Sequence, residues 1–369
     1  MTPIPFDTPV SKLEEMGVQL FQSSPTYKPF YYPWAEKYED DQQSVHWIPR
    51  EIPMGSDLKD WAPQSERLTD AERNLLLNIY RLFTQSDIDV NDNYNDMFIN
   101  TYRNAEIRRM LTVFNSFETI HIKAYSYILE SLKLPESTYH EFLDIEEMRD
   151  KHDYLKSYRN DTLHDLCVTA ICFPIFVEGL QLFASFAMLL NFTRFGRMMQ
   201  TGQIVSWSIR DETIHVEAGV RLGQQLLDET GHTIHDIKDE ILDACKKTIK
   251  LEDAFIDKAF EIGEVRGMTA DDAKKYVRFI ADYRLMQVGL EPYYGIIEHP
   301  MPWIDELTGQ EHTNFFENRA TEYSKAKATG TWEKAWSTLD RAVDKNREHA
   351  PHVAIQERRL QAGVADGLL

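Results

Sequence analysis

Two copies of Glu-x-x-His, Glu118-Thr119-Ile120-His121 and Glu212-Thr213-Ile214-His215, are the residues of this chain best suited to do chemistry. Residues three apart share one face of an α-helix, so each copy presents a carboxylate and an imidazole to the same point. Each copy is half of a metal site. If each half gains one more carboxylate from a neighbouring helix, the result is a dimetal carboxylate centre inside a four-helix bundle.

A helix that supplies such a carboxylate should show a lone acid on an apolar stripe. After Thr69, Leu76, Ile79, Tyr80 and Phe83 share one helical face, and Asp87 continues it one turn later. Asp89 is the competing acid, but it points about 200° away. From Leu166 to Phe192 the chain is almost wholly apolar, and Glu178 is its only charged side chain. A partner or a metal is needed to hold a charge there.

Each lone acid precedes its Glu-x-x-His by roughly 30 residues, enough for a long helix, a turn and a return. The candidate ligands are therefore Asp87, Glu118, His121, Glu178, Glu212 and His215. Oxygen donors with a minority of nitrogen suit iron or manganese better than zinc or copper. A single Glu-x-x-His is a cheap pattern, and a third match, Glu229 to His232, includes Gly231 and reads as chance within a turn. The first copy differs because Ile107, Met110, Phe114, Glu118, His121, Tyr125 and Ile128 form one apolar stripe interrupted by ligand-type residues.

These residues require long helices to position them. The chain has 369 residues, yet no Gly/Ser/Pro linker divides its middle, so it reads as one large all-α, ferritin-like domain over 64–300. Residues 1–63, rich in proline and aromatics from Pro25 to Trp34, read as an extended wrap over that body, and 301–369 as a flexible tail. Thr69 with Glu72, and Thr269 with Asp272, have the spacing of capping boxes at helix starts.

Composition narrows the partners. With 60 acidic against 40 basic residues the net charge is −20, which argues against nucleic acid and anionic membrane. Cys167, Cys172 and Cys245 lack disulfide or zinc spacing and imply a reducing cytoplasm. No basic-then-apolar signal opens the chain, and the apolar run carrying Pro174, Glu178 and Gln181 reads as a buried core helix.

A dimetal carboxylate site can store iron, hydroxylate a hydrocarbon or oxidise a nearby side chain, and what surrounds the ligands decides which. Tyr125 returns to the face of Glu118 about two turns later, which places an oxidisable phenol beside the metals. A core tyrosine bonded to Asp87 or to a carbonyl is the plainer alternative.

The chain resembles the small, radical-generating β subunit of class I ribonucleotide reductase over most of residues 45–325. The phrases that carry the likeness are Phe117-Glu118-Thr119-Ile120-His121 with Tyr125 beyond it, Glu178-Gly179-Leu180-Gln181-Leu182-Phe183-Ala184-Ser185-Phe186-Ala187, and Ile209-Arg210-Asp211-Glu212-Thr213-Ile214-His215. The resemblance implies that Asp87, Glu118 and His121 bind one metal, that Glu178, Glu212 and His215 bind the other, and that Tyr125 carries a radical. It further implies that Trp47, in His46-Trp47-Ile48-Pro49, relays electrons, that Asp211 hydrogen-bonds that tryptophan and His121, and that Tyr323 passes the radical to a large subunit. A homodimer is implied as well. Iron in both positions is the expected pair, with manganese–iron and dimanganese as alternatives.

Two departures from the family pattern stand out. Leu182 occupies a position where many relatives carry phenylalanine, and the chain runs well past Tyr323, with Trp332, Trp336 or the terminal Gly367-Leu368-Leu369 as candidate docking anchors. The alternative reading is a ferritin-like dimetal ligand-binding oxidase, which would share the ligands but have no use for a relay from Trp47 to Tyr323. A storage protein would lack both Tyr125 and the N-terminal wrap.

Overall fold

The computed structural model describes residues 2–307 except 297, and the described chain is helical, with two isolated bridges and no strand. Ten α-helices follow one another. They are α1 (Pro33–Ser44), α2 (Gly55–Trp61), α3 (Asp70–Asn93), α4 (Ala105–Leu132), α5 (Glu146–Leu155), α6 (Leu163–Cys172), α7 (Leu182–Thr193), α8 (Met199–Thr230), α9 (Lys238–Ala259) and α10 (Ala270–Gln287). Two π-helical segments interrupt the regular winding: Tyr94–Ile99 follows α3, and Phe173–Gln181 joins α6 to α7.

The central bundle consists of α3, α4, the α6–α7 rod and α8, with α9 and α10 packed outside it. Local chemistry sets where these helices begin. Thr69 and Glu72 close a reciprocal capping box on α3, as do Thr162 with Asp165 on α6 and Thr269 with Asp272 on α10. The first turn of α8 lacks a cap of its own, and two acids of α2 reach across to it. Asp60 accepts from the Met198 amide at 3.0 Å, and Asp57 accepts from the Gln200 and Thr201 amides at 3.1 and 2.6 Å. Gly231, with φ +80°, ends α8 in the left-handed conformation that glycine adopts without strain.

The apolar rod Leu163–Thr193 is long enough to cross a membrane but lies inside the bundle, almost wholly buried. Its winding slips into π geometry for a reason visible in the sequence and another that is not. Pro174 removes a backbone donor from the helical ladder. Arg284 of α10 then donates from Nε to the Gly179 carbonyl at 2.9 Å, drawing that carbonyl outward. A side chain at Gly179 would collide with Arg284 and the Pro174 carbonyl.

Residues 2–63 are not wholly extended: α1 starts with Pro33 at its first position, where the missing amide costs nothing, and α2 follows. The segment is pinned at many points. Leu163 donates its amide to the Thr8 carbonyl at 2.8 Å, and Arg109 of α4 pairs with Glu36 and Glu39 while stacking over Tyr27. The third Glu-x-x-His serves the same segment. Glu229 accepts from the Leu20 amide and the Tyr32 hydroxyl, and His232 stacks on Phe6 at 3.8 Å with Nε2 2.7 Å from the Ile4 carbonyl. Tyr323, Trp332, Trp336 and Gly367-Leu368-Leu369 lie outside the described residues.

Candidate metal centre

Four helical elements converge on one buried cluster. Asp87 comes from α3, Glu118 and His121 from α4, Glu178 from the π-helical segment and Glu212 and His215 from α8, and each is at most 1 % exposed. The donor atoms fall into two overlapping groups, Asp87 with Glu118 and His121, and Glu118 with Glu178, Glu212 and His215. Glu118 belongs to both. His121 Nδ1 lies 3.1 Å from Glu212 Oε1 and 3.4 Å from Glu118 Oε2, while His215 Nδ1 lies 3.1 Å from Glu118 Oε1 and 3.7 Å from Glu178 Oε1.

The protonation pattern follows from burial and contact. Burial pushes the Glu118 carboxyl up, but the adjacent His121 and His215 outweigh it and hold the group at about 2. Glu178, farther from an imidazole, is pushed up to about 7 by burial with only partial relief from His215. Asp87 is raised by burial and then by Glu118. Both imidazoles are raised because the carboxylates around them overcome desolvation.

Whether metal ions fit this cluster is tested by its orphaned atoms. Both oxygens of Asp87 are buried without a hydrogen-bond partner, and both oxygens of Glu212, Oε1 of Glu178 and Nδ1 of His215 meet only ionic groups of the same cluster, without the geometry of a hydrogen bond. Buried polar atoms are seldom left this way, and a cluster of them converging on one point is what two cations would satisfy. The donor set, carboxylate oxygens with one nitrogen per group, matches hard divalent ions.

Asp89 sits elsewhere. Its Oδ2 lies 2.5 Å from His152 Nδ1 and its Oδ1 accepts from Gln85 at 2.9 Å, on the α5 side of α3. Asp89→Ala is therefore expected to keep full metal stoichiometry while losing about 1–3 kcal/mol of stability through its stranded partners. Asp87→Ala should lose metal and keep the melting temperature of the metal-free chain; metal analysis beside thermal denaturation without metal separates the two.

Around the cluster a hydrogen-bonded line runs outward. Trp47, fully buried, donates from Nε1 to Asp211 Oδ2 at 2.7 Å, and the same oxygen lies 3.3 Å from His121 Nε2. Burial alone would raise the Asp211 carboxyl, but His121, the Arg210 guanidinium and the Trp47 indole hold it below the usual carboxylate range. Asp211 is thus an anion that fixes the ring orientation of His121. Tyr125, 1 % exposed, donates to Ser208 Oγ at 3.2 Å rather than to Asp87 or a carbonyl, and its ring lies 4.5 Å from Phe83. Burial, followed by the Asp87 charge, raises its phenol well above the ordinary value, so it is held as the neutral phenol.

Three neighbours escaped the sequence reading. Ser208 stands four residues before Glu212 on the same face of α8, a spacing that could have revealed it. Arg210 binds both Asp211 Oδ1 and the Val45 carbonyl, tying the Trp47 segment to α8. Tyr94 lines an apolar cavity with Glu178 and His215. Its signal was present, because it follows Asp87 by the same two turns that separate Tyr125 from Glu118.

Comparison with known proteins agrees with this geometry. The family described as "Ribonucleotide reductase, small chain" matches residues 24–300. A probable ribonucleoside-diphosphate reductase small subunit of Invertebrate iridescent virus 3 is 40% identical over 85% of this chain and 88% of its own length. The beta subunit of Chlamydia pneumoniae ribonucleoside-diphosphate reductase is 28% identical over 81% of this chain and 89% of its own. Among solved structures, a putative class I ribonucleotide reductase from Bacillus halodurans superposes with a TM-score of 0.66 at 24% identity, covering 74% of this chain and 99% of that one, a likeness of fold. With its all-α ferritin-like body and its buried acid and imidazole cluster, the chain belongs to the small-subunit family of class I ribonucleotide reductase, an oxidoreductase.

Proposed function

We propose that Asp87, Glu118 and His121 hold one metal ion and Glu178, Glu212 and His215 a second, and that the chain uses this pair to generate and store an oxidant on Tyr125 for a ribonucleotide-reducing large subunit. The observation that carries the reading is the unbroken line from the orphaned ligand cluster through His121 and Asp211 to Trp47. An oxidase acting on a substrate in its own pocket has no use for such a line.

A pair of reduced metal ions held by these residues would supply the electrons for an oxygen species and the oxidising power needed at Tyr125. The protein's own residues do the rest. Ser208 accepts the phenolic hydrogen bond, Phe83 and its neighbours exclude water, and the buried site leaves a radical few partners to quench it. Trp47 delivers the additional electron during assembly, with Asp211 holding its indole proton. During turnover the oxidising equivalent leaves by way of Trp47 and Tyr323 to the large subunit, where the nucleotide is bound and reduced.

Iron in both positions is the proposed native pair. A homodimer in the cytoplasm, docked to a large subunit through the tail 301–369, completes the reading. Assayed with ribonucleoside diphosphate and a reductant, the metal-loaded chain should form no deoxyribonucleotide alone and form it once a class I large subunit is added. Full-length chain that activates no large subunit, despite two bound metals, would contradict the proposal.

A further inference from the structure

Trp47 has an aromatic neighbour that the relay described above does not use. Among the described residues two rings meet its indole: His121 of the cluster, with centroids 6.2 Å apart, and Trp207 of α8, at 5.2 Å and 66°. The second is an edge-to-face contact, the arrangement that aromatic pairs prefer. Trp207 stands one turn before Asp211 on α8, and immediately before the Ser208 that accepts from Tyr125.

Exposure separates the two indoles. Trp47 is fully buried, so a solute in water does not touch it. Trp207 packs against the core and keeps part of its surface open to solvent. The Trp47 N–H is given to the Asp211 carboxylate at 2.7 Å, an anion that stabilises positive charge on that ring, so an electron can leave and return without the proton leaving its bond. A leucine or a phenylalanine at 207 would fill the same space. An indole adds a second oxidisable ring in edge contact with the first.

We propose that Trp207 is the entry point for the electron that Trp47 delivers during assembly: a one-electron reductant in solution, such as ascorbate or ferrous ion, meets Trp207, and Trp207 refills Trp47. This rests on the Trp47 relay proposed above. The electrons balance in three transfers. Trp47 gives one electron to the assembling metal centre and becomes a cation radical. Trp207 gives one electron to Trp47 and restores its closed shell. The reductant gives one electron to Trp207 and is itself oxidised by one. No bond forms or breaks in the chain, and the Trp47 proton stays with Asp211 throughout.

The test mixes full-length chain carrying stoichiometric Fe(II) with oxygen in a stopped-flow spectrometer, with ascorbate varied, and follows the tryptophan radical by its visible absorption. In unaltered chain the radical should decay faster as ascorbate rises. Trp207→Phe should form the radical at the same rate, with an ascorbate-dependent decay slower by about 10-fold or more. Trp207→Tyr, close to phenylalanine in size but oxidisable, should recover part of the lost dependence. Equal ascorbate dependence in Trp207→Phe and unaltered chain would overturn the inference alone. Equal losses in the phenylalanine and tyrosine variants, or slower radical formation with a lowered melting temperature, would also overturn it by showing a packing role. A tryptophan radical that is absent from unaltered chain, or that survives in Trp47→Phe, would bring down the Trp47 relay and this inference with it.

Discussion

Glu212→Ala is expected to bind almost no metal while remaining as helical as the unaltered chain. Glu212 touches both halves of the cluster, with Oε1 3.1 Å from His121 and Oε2 3.5 Å from His215, so its removal takes a carboxylate from the centre rather than from one end. The bundle itself does not depend on it, because its capping boxes, its apolar rod and the acids of α2 that hold the start of α8 are all intact. Two readouts check this. Metal content should fall from two ions per chain to a small fraction of one, and the stabilisation a bound ion confers, about 2.7 kcal/mol at a hundredfold excess over its dissociation constant, should vanish from thermal scans. A Glu212→Ala chain that still shifts its melting temperature with Mn(II) would place the ions elsewhere.

Tyr125→Phe is expected to keep both metals and lose the oxidant. The ring still packs 4.5 Å from Phe83, and only the hydroxyl and its bond to Ser208 disappear, a change of about 1 kcal/mol in stability. Nucleotide reduction with the large subunit should fall by more than about 100-fold, with no tyrosyl signal after metal and oxygen loading. An unchanged tyrosyl signal would move the radical to another residue. Full activity in the variant would put the oxidising equivalent on the metals and leave Tyr125 as a packed phenol.

Sequence periodicity reached the cluster because the long helices α4 and α8 are regular through their Glu-x-x-His copies, so spacing translates directly into a shared face. Glu178 was legible for a different reason: a single charge in an apolar rod has few explanations. Asp87 was separable from Asp89 by helical phase alone, and the structure sends them to opposite sides, one toward Glu118 and His121 and the other to His152.

The features that escaped depend on contacts between distant segments. The π-helical winding around Glu178 needs Arg284 as well as Pro174, and a distant arginine leaves no mark on local periodicity. Asp57 and Asp60 look like ordinary acids of a short helix until α8 is placed against them. In the N-terminal wrap, the aromatic and proline-rich stretch ends near Trp34, and α1 begins where the charged, helix-forming residues take over. Glu229 and His232, set aside as a chance motif, are fasteners for that wrap.

Anomalous diffraction at the manganese edge, from crystals of the full chain loaded with Mn(II), tests the central claim most directly. Two peaks are predicted inside the bundle, one contacted by Asp87, Glu118 and His121 and the other by Glu178, Glu212 and His215, with Glu118 reaching both. A single peak, or peaks at Asp89 and His152 or at Glu229 and His232 with none between α4 and α8, would contradict it.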